Sequence, residues 1–253
     1  MTPSADLDLA LHLADVAAGV TMKAFGRRMS VVHKADTTPV TELDGAAESA
    51  IRAAVREHRP DDGVLGEEQG LVAGESGRVW VVDPIDGTRM FAEGIPLWTT
   101  LIGLRDESGV FVAVADAPAI GERASARRGE GAWMGGRRLQ VSDVDSLGDA
   151  FVLHSSVEEF VAAGTLDRLG RLVSAARGSR GISDAWAHLL VARGAAEAML
   201  EATECHEWDW AASGLIVSEA GGRVSTLDGS DPTPGCRLLV TNGRVDDQVR
   251  DAW

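Results

Sequence analysis

Tyrosine is absent from this 253-residue chain, so no chemical step can rest on a phenol. Cysteine is scarce. Cys205 and Cys236 are too few for a disulfide framework, and neither sits in a CxxC or Cys/His cluster of zinc spacing. Both read as reduced thiols of a cytoplasmic protein. No run of about 18 uncharged apolar residues is available to cross a bilayer. The N-terminal stretch MTPSADLDLALHLADVAAG lacks a basic start and carries three Asp residues, unlike a signal peptide. Basic residues are outnumbered 24 to 39, for a formal net charge of −15. Such a surface repels nucleic acid and anionic membranes, which excludes both as partners. Repeats, low-complexity tracts and a G-x-x-x-x-G-K-[ST] loop are also missing, and the last absence excludes a P-loop NTPase.

What is present is an ordinary globular balance, with 45% hydrophobic and 25% charged residues. Leu7, Leu11, Ala14, Ala18, Met22 and Phe25 follow helical spacing. Leu9, Leu13, Val16 and Val20 fill much of the opposite side, so this helix is buried, either inside its own chain or under a second subunit. A second helix is expected from near Thr41, where Thr41 and Asp44 have capping-box spacing, to a stop before Pro60. The period then changes. Strands are expected at 78–82, 99–104, 110–115, 122–126 and 138–141 without helices between them, which suggests an antiparallel sheet. Beyond residue 150 strands and helices alternate. A boundary near Leu147 would divide an α+β half, 1–146, from an α/β half, 147–253.

Three acidic clusters carry the chemistry. They are Gly66-Glu67-Glu68, the segment Asp83-Pro84-Ile85-Asp86-Gly87-Thr88, and Glu207-Trp208-Asp209 at a helix start. In the second, a buried strand is expected to end at Asp83, with Pro84 stopping the ladder. Asp83 and Asp86 can then face one point with the Ile85 carbonyl between them. Gly87 permits close backbone approach, and the free N–H groups of Gly87 and Thr88 suit a phosphate if a helix begins there. The competing reading is a turn whose Asp residues cap backbone N–H groups. Glu67 and Asp209 weaken that reading if they converge on the same point. Two carboxylates about 4 Å apart repel by roughly 4 kcal/mol at an effective dielectric near 20. Divalent cations turn such repulsion into ligation, and an all-oxygen set suits Mg²⁺ or Mn²⁺ rather than zinc. The two Asp residues stand three apart with proline after the first, which disfavours a phospho-aspartyl enzyme of the haloacid-dehalogenase type. No C-x₅-R loop follows Cys205, which argues against a cysteine-based phosphatase.

GEE at 66–68, WVVDPIDGT at 80–88 and WDWAASGLIVSEAGG at 208–222 resemble the inositol monophosphatase superfamily. The similarity extends to KADTTPVTELD at 34–44 and ARRGEGAW at 126–133, nearly end to end. It implies an αβαβα layered sandwich, usually a homodimer. It also implies that Glu67, Asp83, the Ile85 carbonyl, Asp86 and Asp209 ligate two or three Mg²⁺ ions, with Mn²⁺ a possible substitute. Asp44 and Thr88 match the pair that orients and deprotonates the attacking water. Gly87 and Thr88 match the phosphate-binding turn, and Glu68 matches a second acidic position near the metals. The implied activity is hydrolysis of a small phosphate monoester by metal-activated water, without a covalent intermediate.

KADTTPVTELDGAAES, DGVLGEEQG and FAEGIPLWTTLIGL are most similar to the histidinol-phosphate phosphatases within the superfamily, enzymes of histidine biosynthesis. The chain lacks the large insertions of the bisphosphate-cleaving branches. Met90 replaces the Asn that relatives place two residues after the DGT threonine. Glu201 is nearest to the relatives' substrate-contacting Glu, with Glu204 and Glu207 the alternatives in ATECHE. Asp184 matches an acidic position in the histidinol-phosphate enzymes, although it or Ser183 could equally cap a helix. An acidic wall suits the ammonium of histidinol phosphate better than a neutral polyol. The alternatives are an inositol-1-monophosphatase, another sugar or nucleoside monophosphate phosphatase, and a non-catalytic metal-binding scaffold. His206 reads as solvated, and Trp208 and Trp210 read as core packing.

Overall fold

The computed structural model describes residues 5–26, 42–182 and 184–253, together with the backbone of 32–33 and 39–40. Thr41 and Ser183, two expected caps, lie outside the described residues, as do 34–38 of the KADTTPVTELD stretch.

The chain opens with α1 (Ala5–Thr21), a two-stranded ribbon of β1 (Val32–His33) and β2 (Pro39–Val40), and α2 (Glu42–His58). An eight-stranded sheet follows. Its strands are β3 (Gly63–Gly66), β4 (Gly70–Val72), β5 (Val79–Asp86), β6 (Thr99–Asp106), β7 (Gly109–Ala117), β8 (Glu122–Arg127), β9 (Gly131–Met134) and β10 (Arg137–Arg138), with α3 (Thr88–Ala92) between β5 and β6. The spatial order is β10-β9-β8-β7-β6-β5-β3-β4, and every pair is antiparallel except β3 with β5. A five-stranded mixed sheet is built from β11 (Phe151–His154), β12 (Gly178–Gly181), β13 (Ala198–Leu200), β14 (Arg223–Thr226) and β15 (Leu238–Thr241), in the order β12-β11-β13-β15-β14. Its helices are α4 (Val157–Ala162), α5 (Leu166–Ala175), α6 (Asp184–Ala192), α7 (Glu207–Glu219) and α8 (Asp246–Ala252).

Strand alternation explains the layering. On β6 and β7, Ile102, Leu104, Val112 and Val114 face α1 and α2, while Leu101, Ala113 and Ala115 face the opposite way. That opposite face joins Leu189 and Val191 of α6, Ile216 and Val217 of α7, and Leu153, Met199 and Val240 of the second sheet in one core. The outer face of the second sheet, through Val152, Leu200 and Leu239, packs with Leu169 and Leu172 of α5 and Val249 of α8. The layers therefore run α1/α2, eight strands, α6/α7, five strands, then α5/α8. This is the αβαβα sandwich. Burying a Leu- or Val-sized side chain contributes about 1.5–3 kcal/mol, so the central layer, apolar on both sides, anchors the fold.

α1 needs no second subunit to cover it. Leu9, Ala10, Leu13, Ala14 and Ala17 are buried, and Leu7, Leu11 and Val16 pack against the same cluster. Two strand expectations are corrected. β5 does not stop at Asp83. Its pairing with β6 skips from Asp83↔Leu101 to Asp86↔Thr99, so Pro84 makes a bulge inside the strand rather than its end. The Pro84 carbonyl accepts from the Thr100 hydroxyl at 2.8 Å. The strand expected at 138–141 shrinks to β10, because after Arg138 the chain leaves the sheet edge and Val141 N–H donates to the Ala220 carbonyl. No helix among the described residues is long and apolar enough to cross a membrane.

Candidate metal and phosphate site

The bulge in β5 sets the site. Three positions apart, Asp83 and Asp86 would face opposite sides of a regular strand; the bulge through Pro84 and Ile85 brings both to one point. Asp83 Oδ1 accepts from the Ile85 N–H at 3.0 Å. Asp86 Oδ2 accepts from the Thr99 hydroxyl and the Ala185 N–H, both at 2.8 Å. Asp209 enters from the first turn of α7, where its Oδ2 accepts the His206 N–H at 2.6 Å. One carboxylate oxygen each from Asp83, Asp86 and Asp209 lies within 4.8 Å of the others.

The electrostatics of this triplet call for a cation. Burial pushes the Asp83 carboxyl well above its ordinary value, and the charges of Glu67, Asp86, Asp209 and Asp44 push in the same direction. Burial likewise raises Asp86, with Asp184 and Asp209 adding to it, although the Ala185 and Thr99 hydrogen bonds oppose the shift. Protonation would relieve the repulsion, and so would a divalent ion. The donor set is entirely hard oxygen, which fits Mg²⁺ or Mn²⁺.

Most of the remaining candidates, though neither Asp44 nor Glu68, line with the triplet a cavity of about 920 Å³. Glu67, Ile85, Gly87, Thr88, Asp184 and Glu201 all lie on its wall. Glu67 stands beside Asp83 but outside the close triplet. Gly87 adopts φ 86° just ahead of α3, a conformation that favours glycine, and an added Cβ would sit 3.1 Å from Asp184 Oδ2 and press on that carboxylate. The Thr88 hydroxyl is 3.2 Å from Asp44 Oδ1 and 3.0 Å from the Ile85 carbonyl, sharing its one proton between them. Asp44 is buried on the first turn of α2. Asp184 begins α6 at φ 64°, a strained value for a non-glycine residue, and its N–H lies 3.2 Å from Glu201 Oε1. Glu68 is not on the wall; its N–H donates to Glu48 Oε2 at 2.7 Å.

Several contributors escaped the sequence. Glu48 is fully buried, pairs with Arg52 at 2.7 Å and also accepts from the N–H groups of Glu68 and Gln69. It thereby holds the turn that presents Glu67. The i,i+4 spacing of Glu48 and Arg52 was the available signal, but it is commonplace on exposed helices. Of the alternatives to Glu201, Glu207 is drawn into an ion pair with Arg105, and Glu204 is exposed on the cavity rim. Trp208 corrects the core-packing expectation. It is half-buried, lines the cavity and stacks on exposed His206 with ring centroids 4.8 Å apart. Trp210 is also only half-buried, although it does not line the cavity.

A carboxylate pair at a strand bulge, a glycine-led turn and a helix-borne third acid, set between two stacked sheets, define a metal-dependent phosphatase scaffold. The inositol monophosphatase family model matches residues 4–250, and the chain belongs to that family. It is a phosphoric monoester hydrolase by that membership. It is 41% identical to the histidinol-phosphatase of Mycobacterium tuberculosis, over 96% of each chain. It is 40% identical to the histidinol-phosphatase of Streptomyces coelicolor, over 96% of this chain and 95% of that one. Among solved structures, the Thermotoga maritima IMPase superposes with a TM-score of 0.90 at 28% identity, covering 98% of this chain and 96% of the other.

Proposed function

We propose that the substrate is histidinol phosphate and that the enzyme serves histidine biosynthesis in the cytoplasm as a homodimer. The observation that carries the substrate is the acidic wall beyond the metal triplet. Asp184 and buried Glu201 stand together where the leaving alcohol must lie, and such a wall favours an ammonium. The two histidinol-phosphatase relatives support the same reading. The division into halves 1–146 and 147–253 belongs to this proposal, the first supplying most ligands and the second Asp209 and the specificity wall.

Glu67, Asp83, the Ile85 carbonyl, Asp86 and Asp209 would hold two or three Mg²⁺ ions, which would neutralise phosphate charge and lower the pKa of a water. Asp44, through its contact with Thr88, orients that water and takes its proton. The N–H groups of Gly87 and Thr88 receive phosphate oxygens as the water attacks phosphorus from the side opposite the ester bond. The ester bond breaks, and the departing alkoxide takes a proton from a second water to leave as the alcohol, with phosphate as the other product. Glu68 adds negative charge from behind the wall, and Asp184 and Glu201 fix the leaving group. Burial of Asp44 keeps bulk water from competing for its proton.

The test is phosphate release with Mg²⁺ from histidinol phosphate and from myo-inositol 1-phosphate. A higher kcat/KM for histidinol phosphate is expected. Preference for the inositol ester would give the site to a neutral polyol, a reading favoured by Met90 on the wall, which supplies no polar contact. Failure on every monoester would leave a metal-binding scaffold.

A further inference from the structure

His188 lies on α6, one turn beyond Asp184, and only 2% of it is exposed. Its ring forms part of the cavity wall. Nδ1 is 2.9 Å from the Ser213 hydroxyl of α7. Nε2 is buried and has no hydrogen-bond partner among the described residues. The nearest acid is Glu201, whose Oε1 is 3.8 Å away, too far for a hydrogen bond. Burial lowers the imidazole to about 4, so it is neutral near pH 7 and the two do not form an ion pair.

An ordinary core histidine satisfies both ring nitrogens or keeps one in water. This one does neither. Leaving a buried polar atom unpaired costs about 1–3 kcal/mol, which a ligand can recover. The Ser213 hydroxyl also lies 3.4 Å from the Asp209 carbonyl and 3.5 Å from the Trp210 carbonyl. When that hydroxyl donates to a carbonyl, Nδ1–H donates to Ser213, and Nε2 carries the ring's lone pair beside Glu201, on a residue that lines the cavity. Nε2 and Glu201 Oε1 then stand side by side; burial and the nearby Asp184, Glu159 and Asp86 push the Glu201 carboxyl well above its ordinary value, and a cation bound between the two atoms offsets that shift and holds it as a carboxylate acceptor.

We propose that His188 is a specificity residue, its Nε2 and the Glu201 carboxylate together accepting two N–H bonds from a nitrogen cation on the leaving alcohol. This rests on the histidinol-phosphate reading and names how that substrate is told from a polyol. An ammonium brings three protons and can bridge both acceptors. A polyol hydroxyl brings one and leaves the other acceptor unpaired. The discrimination comes from that unpaired atom, which is the kind of penalty that yields large substrate preferences.

Two substitutions separate the atoms of the ring. His188→Asn keeps an amide near the Nδ1 position and loses the Nε2 end. His188→Gln reaches as far as Nε2. For the Asn variant, kcat/KM on histidinol phosphate is expected to fall about tenfold or more, with that on myo-inositol 1-phosphate changed less than about threefold. The Gln variant is expected to recover most of the loss. Equal losses on both substrates, or identical behaviour of the two variants, would overturn the proposal by reducing His188 to packing. A melting temperature near the wild-type value qualifies each protein. If neither is soluble, Ser213→Ala, which frees the imidazole from its partner, must lower the same ratio, and an unchanged ratio is then the refutation. Wild-type enzyme that ignores histidinol phosphate defeats the substrate reading alone. His188 is then judged by inhibition of p-nitrophenyl phosphate hydrolysis by L-histidinol: weakening by about tenfold in the Asn variant upholds it, and no change rejects it.

Discussion

The two ends of the cavity are built differently. The metal end is local. Asp83, Ile85, Asp86, Gly87 and Thr88 fall within six consecutive residues, and backbone or hydroxyl groups hold both Asp side chains. The leaving-group end is assembled from α4, α6 and the segment after β13, which meet only in the folded chain. The Asp184 N–H to Glu201 contact links two of these elements. A site fixed by a short bulge tolerates little change, whereas a wall made of separate elements can be altered one residue at a time. On the proposed function, the first sets the reaction and the second the substrate.

The sharpest way to break this contrast is at the metal end. Asp83→Asn is expected to reduce kcat/KM about 10⁴-fold on every substrate, several kcal/mol of transition-state stabilisation. The same change should raise the melting temperature of the metal-free protein by about 2–4 °C, since it removes a repelled buried charge. Differential scanning calorimetry with and without Mg²⁺ would read both signs. Asp44→Asn is expected to slow kcat about 10²-fold while leaving Mg²⁺ affinity within about threefold, measured by single-turnover kinetics and calorimetry. Glu201→Gln acts at the other end. It should lower kcat/KM for histidinol phosphate about tenfold to a hundredfold, with a smaller effect on inositol phosphate. A uniform loss would mean that the two ends are not separable.

Smaller effects probe the supports. Gly66 lies against the Glu48 carboxylate, which a Cβ would overlap. Gly66→Ala should therefore cost about 1–3 kcal/mol in urea unfolding and weaken Mg²⁺ binding through Glu67. The least effect is that of pH on the metal-free protein. Asp83 and Asp86 titrate above 3.8 when folded, so between that value and their raised ones the native state holds more protons than the unfolded chain. Stability must then fall as pH rises, by an expected few degrees of melting temperature between about pH 5 and pH 8. Asp83→Asn should flatten the trend, and saturating Mg²⁺ should abolish it.

The same contrast explains what could be read from the sequence. β6 and β7 announced themselves by β-branched residues between glycine turns, and the candidate metal ligands by acids at the ends of apolar runs. β4 and β12 did not, because they are short edge strands with exposed or glycine-rich patterns. Asp83 to Thr88 was legible because the chemistry is contiguous, although Pro84 proved to bulge the strand rather than end it. His188 and Glu48 were not, because their importance lies in a missing or a distant partner. Trp208 was misread because tryptophan is mostly buried, and only the tertiary arrangement shows that the first turn of α7 opens on the cavity.

The central claim is that Asp83, Asp86 and Asp209 form one cation site. Calorimetric titration of the wild-type protein and Asp83→Asn with MgCl₂, in the presence of inorganic phosphate, tests it directly. Saturable binding to the wild type, lost in the variant, is the predicted result. Equal uptake by both proteins, or none by either, would contradict it.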